Sequence, residues 1–518
     1  MPVKSLVKPS EYHDSVALMT VARELINLPG VVDAAVQMGT EANKALMRQA
    51  GLLTPQAEAA TPNDLVISVG ADDEASADAA LGRAQELLAQ KATAAEAVGF
   101  RPRTIRGAVK SNPGANFCVI SVAGRYAAAE ARDALGNGLH VLLFSDNVSI
   151  EDEVALKKYA AERGLLMMGA DCGTAIINGA ALGFANVVPP GPVGIVSAAG
   201  TGLQETSTLL AKLGVGITQG IGLGGRDLKE KVGGIMMVES IKALQADPNT
   251  QVLLLISKPP APSVAEKVLS QVQQGDKPTV VCFLGGDPEP IIDAGAIPAR
   301  TLQEAAYLAA AEVEGYSGPS ADEVMERERK DLEDKAAELK ERLKPGQKYL
   351  RGLFSGGTLA AEALVIWGDL VGGVMSNVAV NPDFKLKDAT RSVENCAVDL
   401  GEDEFTVGRP HPMIDNDLRI RRLLQEAADS QVAVVLLDVV IGYGAHPDPL
   451  SELGPAIQQA RKLAAGEGRE LIVVASVTGT EDDPQRLSKQ VRGLETAGAI
   501  VLPSNAAAAT LAGLIVSG

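Results

Sequence analysis

The chain has 518 residues, of which 46% are hydrophobic, 22% charged and 3% aromatic, and 65 acidic against 47 basic side chains give a formal charge of −18. At roughly 100–200 residues per domain this length suggests three to five domains, and the apolar fraction argues against long disorder. So acidic a surface repels phosphate backbones and anionic lipid heads, and 1 Trp, 7 Tyr and 8 Phe leave few stacking platforms, so neither nucleic acid nor membrane is expected as a partner. Cys118, Cys172, Cys282 and Cys396 show no C-x-x-C and no paired spacing, which excludes a disulfide scaffold or zinc ribbon and fits a reducing cytoplasm. Residues 1–8 hold no apolar h-region and no apolar run reaches about 18 residues, so neither a signal peptide nor a membrane span is expected.

In chain order, the pattern predicts a strand at 3–7, a helix at 14–28, a strand at 31–38, a helix at 41–50, a strand at 64–69 and a helix at 75–90. These make a small N-terminal α/β domain over residues 1–95. Strands at 117–122, 141–144 and 165–168 place a second α/β unit over 96–190, and strands at 193–196, 252–256 and 279–283 place a third over 191–315. Residues 322–344, rich in Glu, Lys and Arg at helical spacing and ended by Pro345-Gly346, read as a solvated helical linker over 316–346. Strands at 432–439 and 471–475 belong to a last unit over 347–518. Several strands are apolar without alternation, as expected where both faces of a parallel sheet are buried. The expected fold class is α/β, with several open, mostly parallel sheets.

The third and last units echo each other. Val193-Gly-Ile-Val196 runs through Ser197-Ala198-Ala-Gly200-Thr201-Gly202 into a helix, and Tyr349-Leu-Arg-Gly-Leu-Phe354 runs through Ser355-Gly356-Gly357-Thr358 into another. Each unit later sends an apolar strand into a Pro-containing loop, Ile256-Ser-Lys-Pro-Pro and Ile441-Gly-Tyr-Gly-Ala-His446-Pro. Two copies of one open-sheet domain facing each other are expected, with residues 374–429 inserted in the second.

The first N–H groups of a helix lack intrahelical partners and the helix dipole favours an anion there. The predicted substrate or phosphate site therefore comprises Ser197, Ala198, Gly200, Thr201 and Gly202 with Ser355, Gly356, Gly357 and Thr358; simple N-capping is the alternative. Gly224, Gly225 and Arg226 form a second Gly-rich loop whose guanidinium is suited to a carboxylate or phosphate. Of the four histidines, His13 and His140 read as structural, while His411 and His446 lie in loops of the last unit as acid/base candidates with Asp438, which interrupts an apolar strand. Cys172 has no neighbouring His to activate it as a nucleophile. No G-x-x-x-x-G-K-[ST] and no metal-ligand set is present.

From Leu143-Phe-Ser-Asp-Asn to Cys282-Phe-Leu-Gly-Gly286 the chain resembles the α-subunit of succinyl-CoA synthetase, through Gly164-Leu-Leu-Met-Met-Gly-Ala-Asp-Cys-Gly, Gly194-Ile-Val-Ser-Ala-Ala-Gly-Thr, Gly222-Leu-Gly-Gly and Asp247-Pro-Asn-Thr. Over its full length it resembles the FdrA family of acyl-CoA-synthetase-like proteins, through Leu166-Met-Met-Gly-Ala-Asp-Cys-Gly-Thr-Ala, Leu255-Ile-Ser-Lys-Pro-Pro-Ala-Pro and Gly408-Arg-Pro-His-Pro-Met-Ile-Asp. The resemblance implies a CoA-binding-like Rossmann unit with Cys172 near its site, two flavodoxin-like ligase domains, and CoA or inorganic phosphate as ligand. It departs in three ways. The loop where the synthetase carries its phosphorylated His reads Gly285-Gly-Asp-Pro-Glu-Pro-Ile-Ile-Asp, the glycine-rich CoA loop of the first domain is missing, and no ATP-grasp domain is recognisable, so no ATP site of its own is expected.

These readings imply an acyl-transfer enzyme subunit acting on an acyl phosphate, carboxylate or CoA thioester without the usual phosphohistidine, cytoplasmic, oligomeric and open to a partner protein. One alternative is a carbamoyltransferase subunit, since members of the family are linked to oxamate carbamoyltransferase in ureide breakdown. The other is a non-catalytic self-assembling scaffold.

Overall fold

Apolar runs broken by Gly and Pro become strands and helices along the whole chain. The computed structural model describes residues 2–11, 13, 15–96, 102–406 and 409–517. Asp14, the expected start of a helix, and Gly408, which opens the Arg-Pro-His run, lie outside the described residues. Two units are distinguished: Met1–Pro113 with Asp403–His411, and Gly114–Glu402 with Pro412–Gly518.

In the first, β1 (Val3–Lys8), α1 (Ser15–Ile26), β2 (Val31–Met38), α2 (Glu41–Gln49), α3 (Pro55–Glu58), β3 (Leu65–Ala71), α4 (Glu74–Glu96) and α5 (Ile105–Ser111) follow in order. β3 is central and antiparallel to β1 and β2. All its residues are buried because both faces are covered: Leu18, Val21 and Leu25 cluster with Ile67 and Val69, and Met47, Leu52 and Ala57 with Val66. Thr40 and Thr54 cap α2 and α3. α3 has no counterpart among the predicted elements.

In the larger unit, β4 (Phe117–Ile120), α6 (Gly124–Gly136), β5 (His140–Leu143), α7 (Ile150–Ala161) and β6 (Met167–Met168) supply a three-stranded parallel sheet. The next two strands leave it. β7 (Thr174–Ile177) and β8 (Ala180–Gly183) form a hairpin through Asn178 and Gly179, both at positive φ, and join the following sheet. Residues 174–183, expected in the second unit, are thus the edge of the third.

That sheet is completed by β9 (Pro190–Ser197), α8 (Gly200–Lys212), β10 (Ile217–Gly222), α9 (Ile235–Ala246), β11 (Val252–Ser257), α10 (Pro262–Val272), β12 (Thr279–Phe283), α11 (Glu289–Asp293), β13 (Ile297–Pro298) and α12 (Leu302–Ala311). Its order is β13-β12-β11-β9-β10-β7-β8, parallel from β13 to β10. α13 (Ala321–Lys340) leads to β14 (Tyr349–Phe354), α14 (Gly357–Val371), β15 (Met375–Ser376), β16 (Cys396–Asp399), α15 (Asp403–Thr406, in the smaller unit), α16 (Asp417–Ala427), β17 (Val432–Val440), α17 (Leu450–Gly466), β18 (Ile472–Thr478), α18 (Leu487–Thr496), β19 (Ile500–Leu502) and α19 (Asn505–Val516). The second sheet is all parallel, in the order β15-β16-β14-β17-β18-β19.

Numbered within each repeat, and with the two-residue edge strand β15 left out of the count, the parallel strands of both sheets read 2-1-3-4-5, the flavodoxin-like order. β16 takes the place that β10 has in the first repeat. The segment 374–429, read as an insertion, therefore carries the second strand of the repeat. One apolar core joins the two sheets, with Ile195, Leu254, Phe354, Trp367 and Leu436 in a single cluster. α13 is no free linker, since Val324, Leu332, Ala336 and Leu339 are buried and Lys340 donates to the carbonyl of Ser517 at 2.7 Å.

Candidate functional site

In a 2-1-3-4-5 sheet the crevice lies beyond the carboxyl ends of strands 1 and 3, where successive connections part to opposite faces. Ser197 pairs with Ile256 there in the first repeat, and Ser355 meets Asp438 in the second. The helices that begin at these two points meet. Their N-cap residues, Ala199 and Gly356, are extended, and neither helix has a side-chain cap. The N–H of Thr358 donates to Thr201 Oγ1 at 3.4 Å. A Cβ on Gly356 would stand 2.8 Å from Thr201 Cγ2, and one on Gly202 would stand 3.0 Å from Thr358 Cγ2. Glycine is what allows this approach. Counted from the helix starts, Gly200-Thr201 corresponds to Gly357-Thr358, so Ser355 corresponds to Ala198 rather than to Ser197.

The two serines are engaged differently. Ser197 Oγ donates to the Ala199 carbonyl at 2.7 Å and accepts from the Ala199 N–H at 3.1 Å, closing its own turn. The second turn holds an internal anion. Asp438, fully buried, accepts from the N–H groups of Ser355 and Gly356, each at 2.8 Å, and from Ser355 Oγ at 3.0 Å, and it pairs with Arg419 at 3.0 Å. The Ser355–Gly356 part of the predicted anion site is therefore filled by the protein's own carboxylate. Asp438 is a member of a buried ion pair, not a base with a free lone pair.

Gly357 and Thr358 remain. A Cβ on Gly357 would stand 2.5 Å from Asp399 Oδ2 and 3.7 Å from Lys258 Nζ, so a carboxyl and an ammonium converge on one glycine. Asp399 closes β16, and its Oδ1 accepts from the N–H of Gly401 at 2.9 Å. Burial pushes its carboxyl up to about 7; the Gly401 bond and Lys258 oppose the rise, while Glu402 and Asp438 add to it. Sequence reasoning missed both residues. The signals were a carboxylate ending a short apolar strand and a lysine directly after β11.

The other predicted site residues are held in structural roles. Arg226 donates to the carbonyl of Val148 at 3.0 Å and pairs with Glu153 at 2.8 Å. Buried Lys157 continues this chain to Glu153 at 2.9 Å and Asp227 at 2.7 Å, tying α7 to the loop after β10. Gly224 sits at φ +80° with the Ala170 carbonyl where a Cβ would go, whereas Gly225 is exposed. Cys172 is buried, and burial pushes its thiol up to about 12, so it carries no thiolate at neutral pH. His446 is buried, accepts at Nδ1 from the Asp448 N–H at 3.1 Å and places Nε2 3.2 Å from Glu452. His411 is half-buried in Asp403–His411, which groups with the smaller unit, so the two loop histidines belong to different units.

Over 509 residues, 98% of this chain and 97% of the other, the sequence is 47% identical to "Uncharacterized protein YahF" of Escherichia coli (strain K12). The chain belongs to the FdrA family of acyl-CoA-synthetase-like proteins. Residues 189–285 match the CoA binding domain, 353–515 match the family described as CoA-ligase, and 1–102 match "AllF, heavy metal-associated domain". The CoA-binding match overlies β9 to β12, and all but its first two residues fall in the segment 191–315, read from sequence as the first ligase-like unit. Malate–CoA ligase subunit alpha of Methylorubrum extorquens is 28% identical over 40% of this chain and 72% of its own length. Succinate–CoA ligase [ADP-forming] subunit alpha of Staphylococcus epidermidis is 27% identical over 35% of this chain and 60% of its own length. Among solved structures, acetyl-coenzyme A synthetase 1 of Ca. Korarchaeum cryptofilum shares 15% identity over 77% of this chain and 82% of that one, with a TM-score of 0.33. In this FdrA-family chain, residues 1–102 contain no cysteine, and their one histidine, His13, bonds Glu11 at 3.0 Å. These residues do not fit the metal that the domain's description implies; among the described residues no group of three or more His, Cys, Asp or Glu is placed to hold one. Among the same residues no helix is long and apolar enough to cross a membrane.

Proposed function

We propose that this chain is an acyl-transfer subunit of the succinyl-CoA-synthetase type that receives an acyl phosphate or carboxylate at the start of α14 and works without a phosphohistidine. The observation that carries the reading is that Asp399 and Lys258 converge on Gly357, the first residue of α14, whose start meets that of α8 through Thr201 and Thr358. An oxyanion there meets helix starts that are fixed before the ligand arrives, with the ammonium of Lys258 within reach. A carboxyl poised near neutrality is suited to give or take a proton. His446, its ring held between Asp448 and Glu452, is already engaged. CoA would supply a thiol as acyl acceptor. Exposed Gly200 and Gly225, the latter with only the Ala198 carbonyl within 4.0 Å of a Cβ, leave backbone uncovered for its phosphates.

The second reading is carbamoyl transfer, as in oxamate carbamoyltransferase. The His-free loop Gly285-Gly-Asp-Pro-Glu-Pro favours it, because moving a carbamoyl group to phosphate needs oxyanion donors and a phosphate site but neither phosphohistidine nor ATP. A cytoplasmic homo-oligomer acting with a partner protein completes both readings. Turnover of acetyl phosphate and carbamoyl phosphate, with phosphate or CoA as acceptor and with the chain alone or with a partner protein, tests them. Acyl transfer without ATP is expected, lowered at least about tenfold in kcat/KM by Lys258→Gln. No turnover of any donor under any of these conditions would leave the scaffold reading.

A further inference from the structure

We propose that the start of α14 binds an oxyanion and a proton together, with Lys258 pairing the anion and Asp399 Oδ2 carrying the proton through which it hydrogen-bonds to that anion. The inference rests on reading this crevice as an oxyanion pocket and deepens it by naming the two residues and the coupling. The ligand class is an anion offering an acceptor oxygen: a carboxylate, a sulfate or a phosphoryl group.

Asp399 is only 3% exposed, and the rest of the residue is satisfied. Its main-chain N–H and carbonyl are read by the side chain of Asn377, each at 2.9 Å, and Oδ1 takes the Gly401 N–H. Among the described residues Oδ2 accepts no hydrogen bond, although it lies against Gly357. Lys258, exposed and with Nζ 3.7 Å from the Cβ position of that glycine, makes neither a hydrogen bond nor an ion pair among the described residues. An acidic oxygen without a hydrogen bond and an ammonium without a partner thus lie at one helix start without pairing with each other.

An ionised Asp399 would repel an anion entering between them, whereas a protonated one donates to it. The charged groups that face Asp399 are Lys258 after β11, Asp438 on β17 and Glu402 in the turn that follows β16. Asp438 is committed to Arg419 and the Ser355 turn. Lys258 is the one cation among these groups, and an anion that neutralises it removes the charge that favours ionised Asp399. Anion entry and proton uptake therefore go together. Burial already holds this carboxyl near neutrality, so the uptake falls in an accessible range.

Calorimetric titration of the full chain with sulfate, whose own charge is constant in this range, tests the coupling. Run at several pH values between about 6 and 9 in buffers of different ionisation enthalpy, it reads protons taken up per anion bound. Uptake approaching one proton is expected at the upper end. Asp399→Asn should bind sulfate without uptake and with no pH dependence, and Lys258→Gln should weaken binding about tenfold at an unchanged melting temperature. Wild type that binds sulfate without uptake, or does not bind it, would overturn the proposal. So would wild-type uptake in Asp399→Asn, or unchanged affinity in Lys258→Gln. Should Asp399→Asn fail to fold, the wild-type uptake and Lys258→Gln decide. Acyl turnover is not read in this titration, so failure of the transfer reading leaves the result standing. Binding without uptake would sink the coupling and spare the pocket.

Discussion

Glu205 accepts the backbone N–H of Asn505, the first residue of α19, at 2.9 Å. Glu362 does the same for Leu302, the first residue of α12, at 2.6 Å. The two glutamates hold matching places, in Gly200-Thr201-x-x-x-Glu205 and Gly357-Thr358-x-x-x-Glu362. Each reaches out of its own repeat to the start of the other's last helix. A first-turn N–H has no acceptor within its helix, so each repeat completes a helix that the other cannot complete alone. Asn505 joins the two sites, donating from its side chain to Glu362 at 2.7 Å.

This arrangement has a pH signature. Burial raises the Glu362 carboxyl to about 8, opposed by the Asn505 and Leu302 hydrogen bonds and reinforced by Glu205. Between the unfolded value, about 4.5, and about 8, the folded state holds a proton that the unfolded chain has released. Stability from this group is therefore full below the unfolded value and is lost as pH rises through the folded one, by on the order of 3–5 kcal/mol. Thermal melts across this window should show wild type losing stability as pH rises and Glu362→Gln with a flatter profile. Parallel profiles would contradict the assignment.

Asp438→Ala should destabilise the larger unit by about 3–5 kcal/mol, because it strands buried Arg419 and leaves the Ser355 and Gly356 N–H groups without an acceptor. Asp438→Asn should cost less. Urea unfolding of the two variants checks the order, and equal midpoints would contradict it.

The paired helix-opening glycines should not tolerate change equally. At Gly357 a Cβ meets Asp399 Oδ2 at 2.5 Å, whereas at Gly200 it meets only the Thr174 side chain, nearest at Oγ1 at 3.1 Å. Gly357→Ala should cost about 1–3 kcal/mol and abolish sulfate binding, while Gly200→Ala should stay within about 0.5 kcal/mol of wild type. Melting temperatures and the sulfate titration together read this asymmetry.

All four cysteines are free, with Cys118 half-buried and the other three buried. A thiol reagent should modify Cys118 first in the native protein and reach Cys172, Cys282 and Cys396 only on unfolding. Rapid native labelling of Cys172 would contradict its burial.

Much of the architecture was legible because apolar strands such as Val432–Val440 admit no other placement, and because Gly-Thr after a strand appears twice. The site was harder. β16 is four residues long and sits among polar turns, so Asp399 fell inside a presumed insertion. Lys258 lay in a Pro-rich loop that was noted for its prolines. Composition does not reveal which charges are already paired: from the sequence Asp438 reads as either a ligand contact or a buried pair and Arg226 as either an anion contact or a surface Arg, and both are consumed by partners distant along the chain, Arg419 and Glu153. His446 misled for the same reason.

The helix α13 runs between the two repeats and is packed along one face. By keeping both repeats on one polypeptide, it turns what would be an encounter between separate molecules into an intramolecular event, with an effective local concentration set by the tether rather than by the cell. No translational freedom is lost when the two halves close. The joint between them, with its crossed helix caps and its meeting of Thr201 and Thr358, is therefore insensitive to dilution, and its two switch points come in a fixed one-to-one ratio however little of the protein is made.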